Sequence, residues 1–173
     1  MQGTDGNLYG TTYLGGTRTS PNCTYQYVEP VDVGCGTVFR ITPGGTLTTL
    51  HSFDYRDGSQ PIGGMVQDTS GEFYGTANVG SNSGGTIFSL SVGLRPFVET
   101  QTASGEVGAA VKILGTDLTG ATSVTFNGTE AAFSVVSPSL ITTTVPSGAT
   151  TGEVKVVTPS DTLAGNVPFR VLP

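Results

Sequence analysis

Asp5-Gly6-Asn7-Leu8-Tyr9-Gly10-Thr11 returns, lightly changed, as Ser70-Gly71-Glu72-Phe73-Tyr74-Gly75-Thr76. Gly36-Thr37-Val38-Phe39-Arg40-Ile41 returns as Gly85-Thr86-Ile87-Phe88-Ser89-Leu90. The first pair is offset by 65 positions and the second by 49, so the earlier copy carries 16 extra residues after Gly16. Without them the period is 49, within the ~40–50 residues of a propeller blade.

Each piece of the repeat reads as a short strand. Leu8 to Tyr13 is bounded by Asp5-Gly6 and Gly15-Gly16, and Thr37 to Thr42 stops at Pro43-Gly44-Gly45. Gly and Pro clusters of this kind punctuate strands. Thr46 to Phe53 is Thr-rich with apolar groups at both parities, Asp57-Gly58 marks a turn, and Gly64 to Gln67 opens the second copy. Phe39 and Ile41 alternate with Arg40, which predicts that the two apolar residues face inward. A complete unit is a four-stranded blade, and the chain holds about one and a half. Met1-Gln2 aligns with Val66-Gln67 inside a strand. Repeat units bury their faces against neighbours, so the expectation is a C-terminal piece of a longer protein, with upstream repeats as its first partners.

Composition agrees with an all-β chain. Of 173 residues, 26 are Gly and 10 Pro, only 12% are charged and Trp is absent. Abundant Thr and Gly favour strands and tight turns over helices. This excludes a helical bundle, a coiled coil and an α/β nucleotide-binding fold. The net charge of −6 is shared evenly: residues 1–95 hold four basic and seven acidic groups, residues 96–173 three and six. No basic patch is present to release counterions from phosphate, so nucleic acid is not an expected partner. No apolar run reaches the ~18–20 residues of a membrane span, so no membrane insertion is expected.

The pattern changes near residue 95, with Arg95-Pro96 as the boundary. Beyond it strands are expected at 97–101, 109–114, 122–127, 131–136, 140–145, 153–158 and 167–172, near the 8–12-residue spacing of a sandwich. Val111 and Ile113, Val124 and Phe126, Val154 and Val156, and Val167, Phe169 and Val171 fall on alternate positions and form the expected core. Turns are marked by Ser104-Gly105, Thr119-Gly120, Asn127-Gly128, Pro146-Ser147-Gly148 and Thr158-Pro159.

Two families are resembled. Val111-Lys112-Ile113-Leu114-Gly115, Val124-Thr125-Phe126-Asn127-Gly128, Val154–Pro159 and Val167–Val171 make residues 96–173 similar to an IPT/TIG domain, an immunoglobulin-like module. That family carries prolines near Thr102 and Glu106, and this chain has neither. Leu8–Thr12, Gly36–Pro43, Leu50–Phe53 and Asp57–Pro61 make residues 1–95 resemble the GloVer tandem repeat of bacterial surface proteins, with departures at Ala77-Asn78 and Gly80-Ser81. Together the resemblances imply an exported bacterial protein, extracellular or at the cell surface.

Candidate chemistry is sparse. His51, Ser52 and Asp54 are the residue types of a hydrolase, but adjacent strand residues point to opposite faces, and a triad needs groups converging from separate elements. Asp54, Asp57, Asp68 and Glu72 sit at turns, where carboxylates hydrogen-bond the local backbone. Gly44-Gly45 and Gly84-Gly85 lack the G-K-S/T ending of a phosphate loop. Asn22-Cys23-Thr24 and Asn127-Gly128-Thr129 fit a glycosylation pattern that matters only on a eukaryotic secretory route. Cys23 and Cys35 form a loop-closing disulfide in an oxidising compartment or remain two thiols in a reducing one; zinc would need two more ligands.

The insertion 17–35 is the candidate binding loop, with Tyr25 and Tyr27 as its contact residues, since loops on rigid scaffolds carry binding and tyrosine gives contact area at low entropy cost. The sequence thus predicts an all-β chain without catalytic, cofactor or metal residues: an incomplete β-propeller-like repeat array over 1–95 and an immunoglobulin-like β-sandwich over 96–173. Its expected role is a non-catalytic spacer or interaction module for a protein or glycan ligand. The alternative is a carbohydrate-binding accessory module of a larger secreted enzyme.

Overall fold

The computed structural model describes residues 1–17, 23–25, 31–80 and 84–173; at 24–25 and 31–32 the backbone alone is described. The described residues contain no helix. The chain divides into two compact units, Met1–Asp68 with Glu72–Leu94, and Thr69–Gly71 with Arg95–Pro173.

The first unit contains β1 (Leu8–Thr12), β2 (Thr24–Tyr25), β3 (Val31–Asp32), β4 (Thr37–Ile41), β5 (Leu47–Ser52), β6 (Val66–Gln67), β7 (Phe73–Ala77) and β8 (Thr86–Leu90). One antiparallel sheet has the order β1-β4-β5, another the order β6-β7-β8, and β2 pairs with β3. Met1-Gln2 lies beside β1: Gln2 bridges Leu8, and the Tyr9 N–H donates to the Met1 carbonyl at 2.8 Å. The first sheet therefore has a short leading strand where the second has β6.

The two sheets share one register. Leu8 opposes Ile41, Tyr9 opposes Arg40, Gly10 opposes Phe39 and Thr11 opposes Val38. At the same repeat positions Phe73 opposes Leu90, Tyr74 opposes Ser89, Gly75 opposes Phe88 and Thr76 opposes Ile87. Directly opposed residues share a face, so each sheet has a Tyr face (Tyr9, Thr11, Val38, Arg40; Tyr74, Thr76, Ile87, Ser89) and a Phe face (Leu8, Gly10, Phe39, Ile41; Phe73, Gly75, Phe88, Leu90). On both Phe faces the phenyl ring lies over the opposing glycine. A Cβ at Gly10 would stand 2.6 Å from Phe39 Cζ, and one at Gly75 would stand closer still to Phe88 Cζ.

The Tyr face of the first sheet packs on the Phe face of the second. Tyr9 and Val38 are buried, Phe73 is fully buried, and the Tyr9 and Phe73 rings lie 4.2 Å apart. Phe53 reaches over from the end of β5 to meet Phe88 edge-on at 5.1 Å. The shared core holds Tyr9, Val38, Phe53, Met65 and Phe73 with both cysteines. This corrects the expectation that Phe39 and Ile41 face inward. They are half-buried, and the inward residue of β4 is Val38. Alternation fixes which residues share a face but not which face meets the neighbouring sheet. β5 is bonded on one edge only among the described residues, and Leu47 is 63% exposed.

The second unit contains β9 (Glu99–Thr100), β10 (Ser104–Glu106), β11 (Ala110–Leu114), β12 (Ser123–Phe126), β13 (Thr129–Glu130), β14 (Phe133–Ser137), β15 (Leu140–Thr144), β16 (Val154–Val157), β17 (Thr162–Ala164) and β18 (Arg170–Leu172). Two four-stranded sheets, β14-β15-β11-β9 and β13-β12-β16-β17, enclose one core, and β10 pairs with β18 in parallel. Val111, Ile113 and Ile141 come from one sheet; Val124, Phe126, Val154, Val156 and Leu163 come from the other. Phe169 meets Phe126 edge-on at 5.1 Å. The alternating residues of β11, β12 and β16 are thus buried as their spacing predicts.

Val167 is the exception and is 56% exposed. Asn166 and Val167 form a bend and Pro168 follows, so the strand starts at Arg170 and the alternation inward begins at Phe169. β10 occupies the stretch read as a Ser104-Gly105 turn. Between β12 and β13, Asn127 (φ 47°) and Gly128 (φ 86°) both take the left-handed conformation that a two-residue hairpin turn requires. Asn127 Nδ2 also donates to Thr150 Oγ1 at 2.8 Å.

Candidate functional site

Two features of the first unit concentrate polar or reactive chemistry. The first is a recess of about 210 Å³ where the sheets meet, lined by Val38, Phe53, Phe88 and Leu90 with His51, Asp57 and Ser89. The walls are apolar because Val38 and Phe88 come from the two packed faces. His51, near the end of β5, has its ring edge-on to Phe53 at 4.9 Å. His51 Nε2 lies 2.6 Å from Asp57 Oδ2, and both side chains are 41% exposed.

The carboxylates around His51 serve the turn that follows β5. Asp57 Oδ1 accepts the Asp54 N–H at 3.0 Å, and Asp54 Oδ1 accepts the N–H groups of Arg56 and Asp57 at 2.9 and 3.3 Å. Burial would raise the Asp54 carboxyl, but these donated hydrogen bonds and the Arg56 charge outweigh it and hold the group below its ordinary value. His51 therefore pins the 54–57 turn to β5. Ser52 is not its partner: Ser52 Oγ instead lies 2.9 Å from where a Cβ on Gly16 would stand. The group brought together is His51 with Asp57, not the His51, Ser52 and Asp54 suggested by adjacency in sequence. Neither motif nor spacing distinguishes Asp57 from Asp54; the backbone path of the turn does.

Asp5 precedes β1 and Glu72, at the repeat position of Asn7, precedes β7. Asp5 Oδ2 accepts from Tyr9 Oη at 2.9 Å and from Asn7 Nδ2 at 2.5 Å, and Asp5 Oδ1 accepts the Asn7 N–H. Burial raises the Asp5 carboxyl, but the bonds from Tyr9 and Asn7 prevail and keep it low. Burial, then the bond to Asp5, pushes the Tyr9 hydroxyl up. Glu72 Oε2 accepts from Tyr74 Oη at 3.1 Å, and that bond and charge raise Tyr74. These carboxylates hold tyrosines and turns rather than facing each other across a cleft.

The second feature is the base of the insertion. Cys23 and Cys35 are joined by a disulfide with Cα atoms 4.9 Å apart, and both are buried. The Gly15 N–H donates to Val33 O at 2.7 Å, Val33 N–H to Cys23 O at 3.2 Å, and Gly36 N–H to Gly15 O at 3.1 Å. The crosslink and these bonds fasten the insertion to the end of β1 and the start of β4. Tyr27 lies outside the described residues, as does the side chain of Tyr25. No cluster of three or more metal-ligating side chains occurs among the described residues.

The paired sheets of the second unit, their common core and the alternating inward residues define an immunoglobulin-like sandwich. Residues 96–171 match the IPT/TIG domain family, and that part of the chain is an IPT/TIG domain. The module is a generic immunoglobulin-like fold rather than a catalytic one. A search of curated proteins finds no match to this chain.

Proposed function

We propose that this chain is a non-catalytic extracellular module, displayed at a bacterial cell surface, in which the IPT/TIG sandwich accompanies a GloVer-type array of blade-like repeats. Its work is recognition or spacing, and its ligand is a protein or a glycan. The observation that carries this reading is the buried Cys23–Cys35 disulfide in a chain that also holds an IPT/TIG domain, because structural disulfides persist in oxidising, exported compartments. The repeat resemblance of Leu8–Thr12 and Gly36–Pro43 supports the same location. The insertion held by the disulfide is the proposed contact loop, with Tyr25 and Tyr27 as its residues.

Protease treatment of intact producing cells tests the location: the chain should be digested without lysis, and full protection would overturn the proposal. A glycan array probed with the 173-residue chain tests the ligand class. Specific glycan binding would favour the carbohydrate-binding accessory reading.

A further inference from the structure

We propose that this chain stacks head to tail on a second copy of itself, the Tyr face of the second sheet in one molecule covering the Phe face of the first sheet in the next. One contact of this kind is already present between the two sheets. There, the Tyr face of the first copy meets the Phe face of the second, burying Val38 to 1% exposure and Phe73 to 0%. The opposite faces of the same sheets lack that cover. Ile87, at the repeat position of Val38, is 80% exposed, and Leu8, at the position of Phe73, is 49% exposed. Within these 173 residues the internal contact joins two different surfaces and leaves one of each exposed.

The leftover surfaces keep the chemistry of the buried ones. Tyr74 repeats Tyr9, with its hydroxyl held by Glu72 as that of Tyr9 is held by Asp5. Ile87 replaces Val38, another β-branched aliphatic residue. On the other side Leu8 and Ile41 replace Phe73 and Leu90, and Phe39 lies over Gly10 as Phe88 lies over Gly75. Leu47, opposite Ile41 across the β4–β5 pair, extends this apolar face and is 63% exposed. A second molecule placed like the second sheet would bring its Leu8 to Tyr74 and its Phe39 to Ile87. Contacts between unlike surfaces are heterologous and continue into chains or rings rather than stopping at a two-fold dimer.

Sedimentation of the 173-residue chain up to about 1 mM, where a contact of millimolar Kd is half-populated, tests the proposal. The average mass should rise with concentration and pass the dimer. Ile87→Glu blocks one face and Leu8→Glu the other, so each variant alone should be a monomer. Their equimolar mixture should form a dimer and stop there, because each molecule retains one working face. Tyrosine fluorescence shows whether the first unit of each variant is folded; Leu47→Glu replaces Leu8→Glu if the latter unfolds. A wild-type chain that stays monomeric, a mixture that stays monomeric, or an Ile87→Glu chain that associates like wild type would overturn the proposal. The last outcome would instead point to pairing elsewhere, for example along the β8 edge.

Discussion

Gly75→Ala should destabilise the first unit, and the sign of its effect should depend on Phe88. An added methyl at Gly75 would crowd Phe88 Cζ most and would stand 2.9 and 3.0 Å from Cε1 and Cε2, all closer than ordinary carbon contact. The ring must tilt away, yet Phe53 stands edge-on to it at 5.1 Å and limits its path. Overpacking of this kind costs about 1–3 kcal/mol. Against it, Gly75 is not among the left-handed glycines, so alanine fits the backbone and regains about 0.4–1 kcal/mol by restricting the unfolded chain. The net loss is about 0–2.6 kcal/mol.

Phe88→Leu deletes the ring atoms that collide. In that background Gly75→Ala should be neutral or stabilising by up to about 1 kcal/mol, a coupling of roughly 1–3 kcal/mol between neighbours. Urea titration followed by tyrosine fluorescence isolates the unit, because all six tyrosines lie within residues 1–94. Equal costs for Gly75→Ala with Phe88 and with Leu at that position would refute the ring-over-glycine account.

Other outcomes follow from the same structure. Replacing Cys23 and Cys35 together by serine opens a loop whose ends are 12 positions apart, and should cost the first unit about 3 kcal/mol on the chain-entropy model, read by the same tyrosine signal. Ile113→Ala, at a fully buried site in the sandwich, should cost about 2–5 kcal/mol in thermal unfolding followed by circular dichroism, without altering the tyrosine transition. Asp5 is held below its ordinary 3.8 and Tyr9 above its ordinary 10.0. The stability from Asp5 is present above pH 3.8 and fades as pH falls through its lowered value; that from Tyr9 is present below pH 10.0 and fades as pH rises through its raised value. Asp5→Asn should therefore flatten the acid limb of the tyrosine-monitored stability and bring Tyr9 closer to its ordinary titration.

The sandwich was legible because its strands are half-buried in a regular way: Val111/Ile113, Val124/Phe126 and Val154/Val156 alternate with polar neighbours and enter one core. Val167 misled because it shares that parity but precedes Pro168 on a bend. In the first unit, the repeat identified the strands but not the covered face. Val38 and Ile87 occupy the same repeat position and differ from 1% to 80% exposed, a difference made by the neighbouring sheet. The His51–Asp57 pair was hidden for a similar reason. Asp54 and Asp57 look alike at a turn, and only the path of the chain brings one to the imidazole at 2.6 Å.

The core of the first unit is made by its two three-stranded sheets meeting through unlike faces. A nuclear Overhauser spectrum of the full chain measures that contact directly at Tyr9 and Phe73, whose ring centroids lie 4.2 Å apart although the residues are 64 positions apart in sequence. Cross-peaks between the two rings are expected, with none between Tyr74 and Leu8 within one molecule. Assigned rings with no Tyr9–Phe73 cross-peak would contradict the packing and, with it, the exposed faces inferred from it.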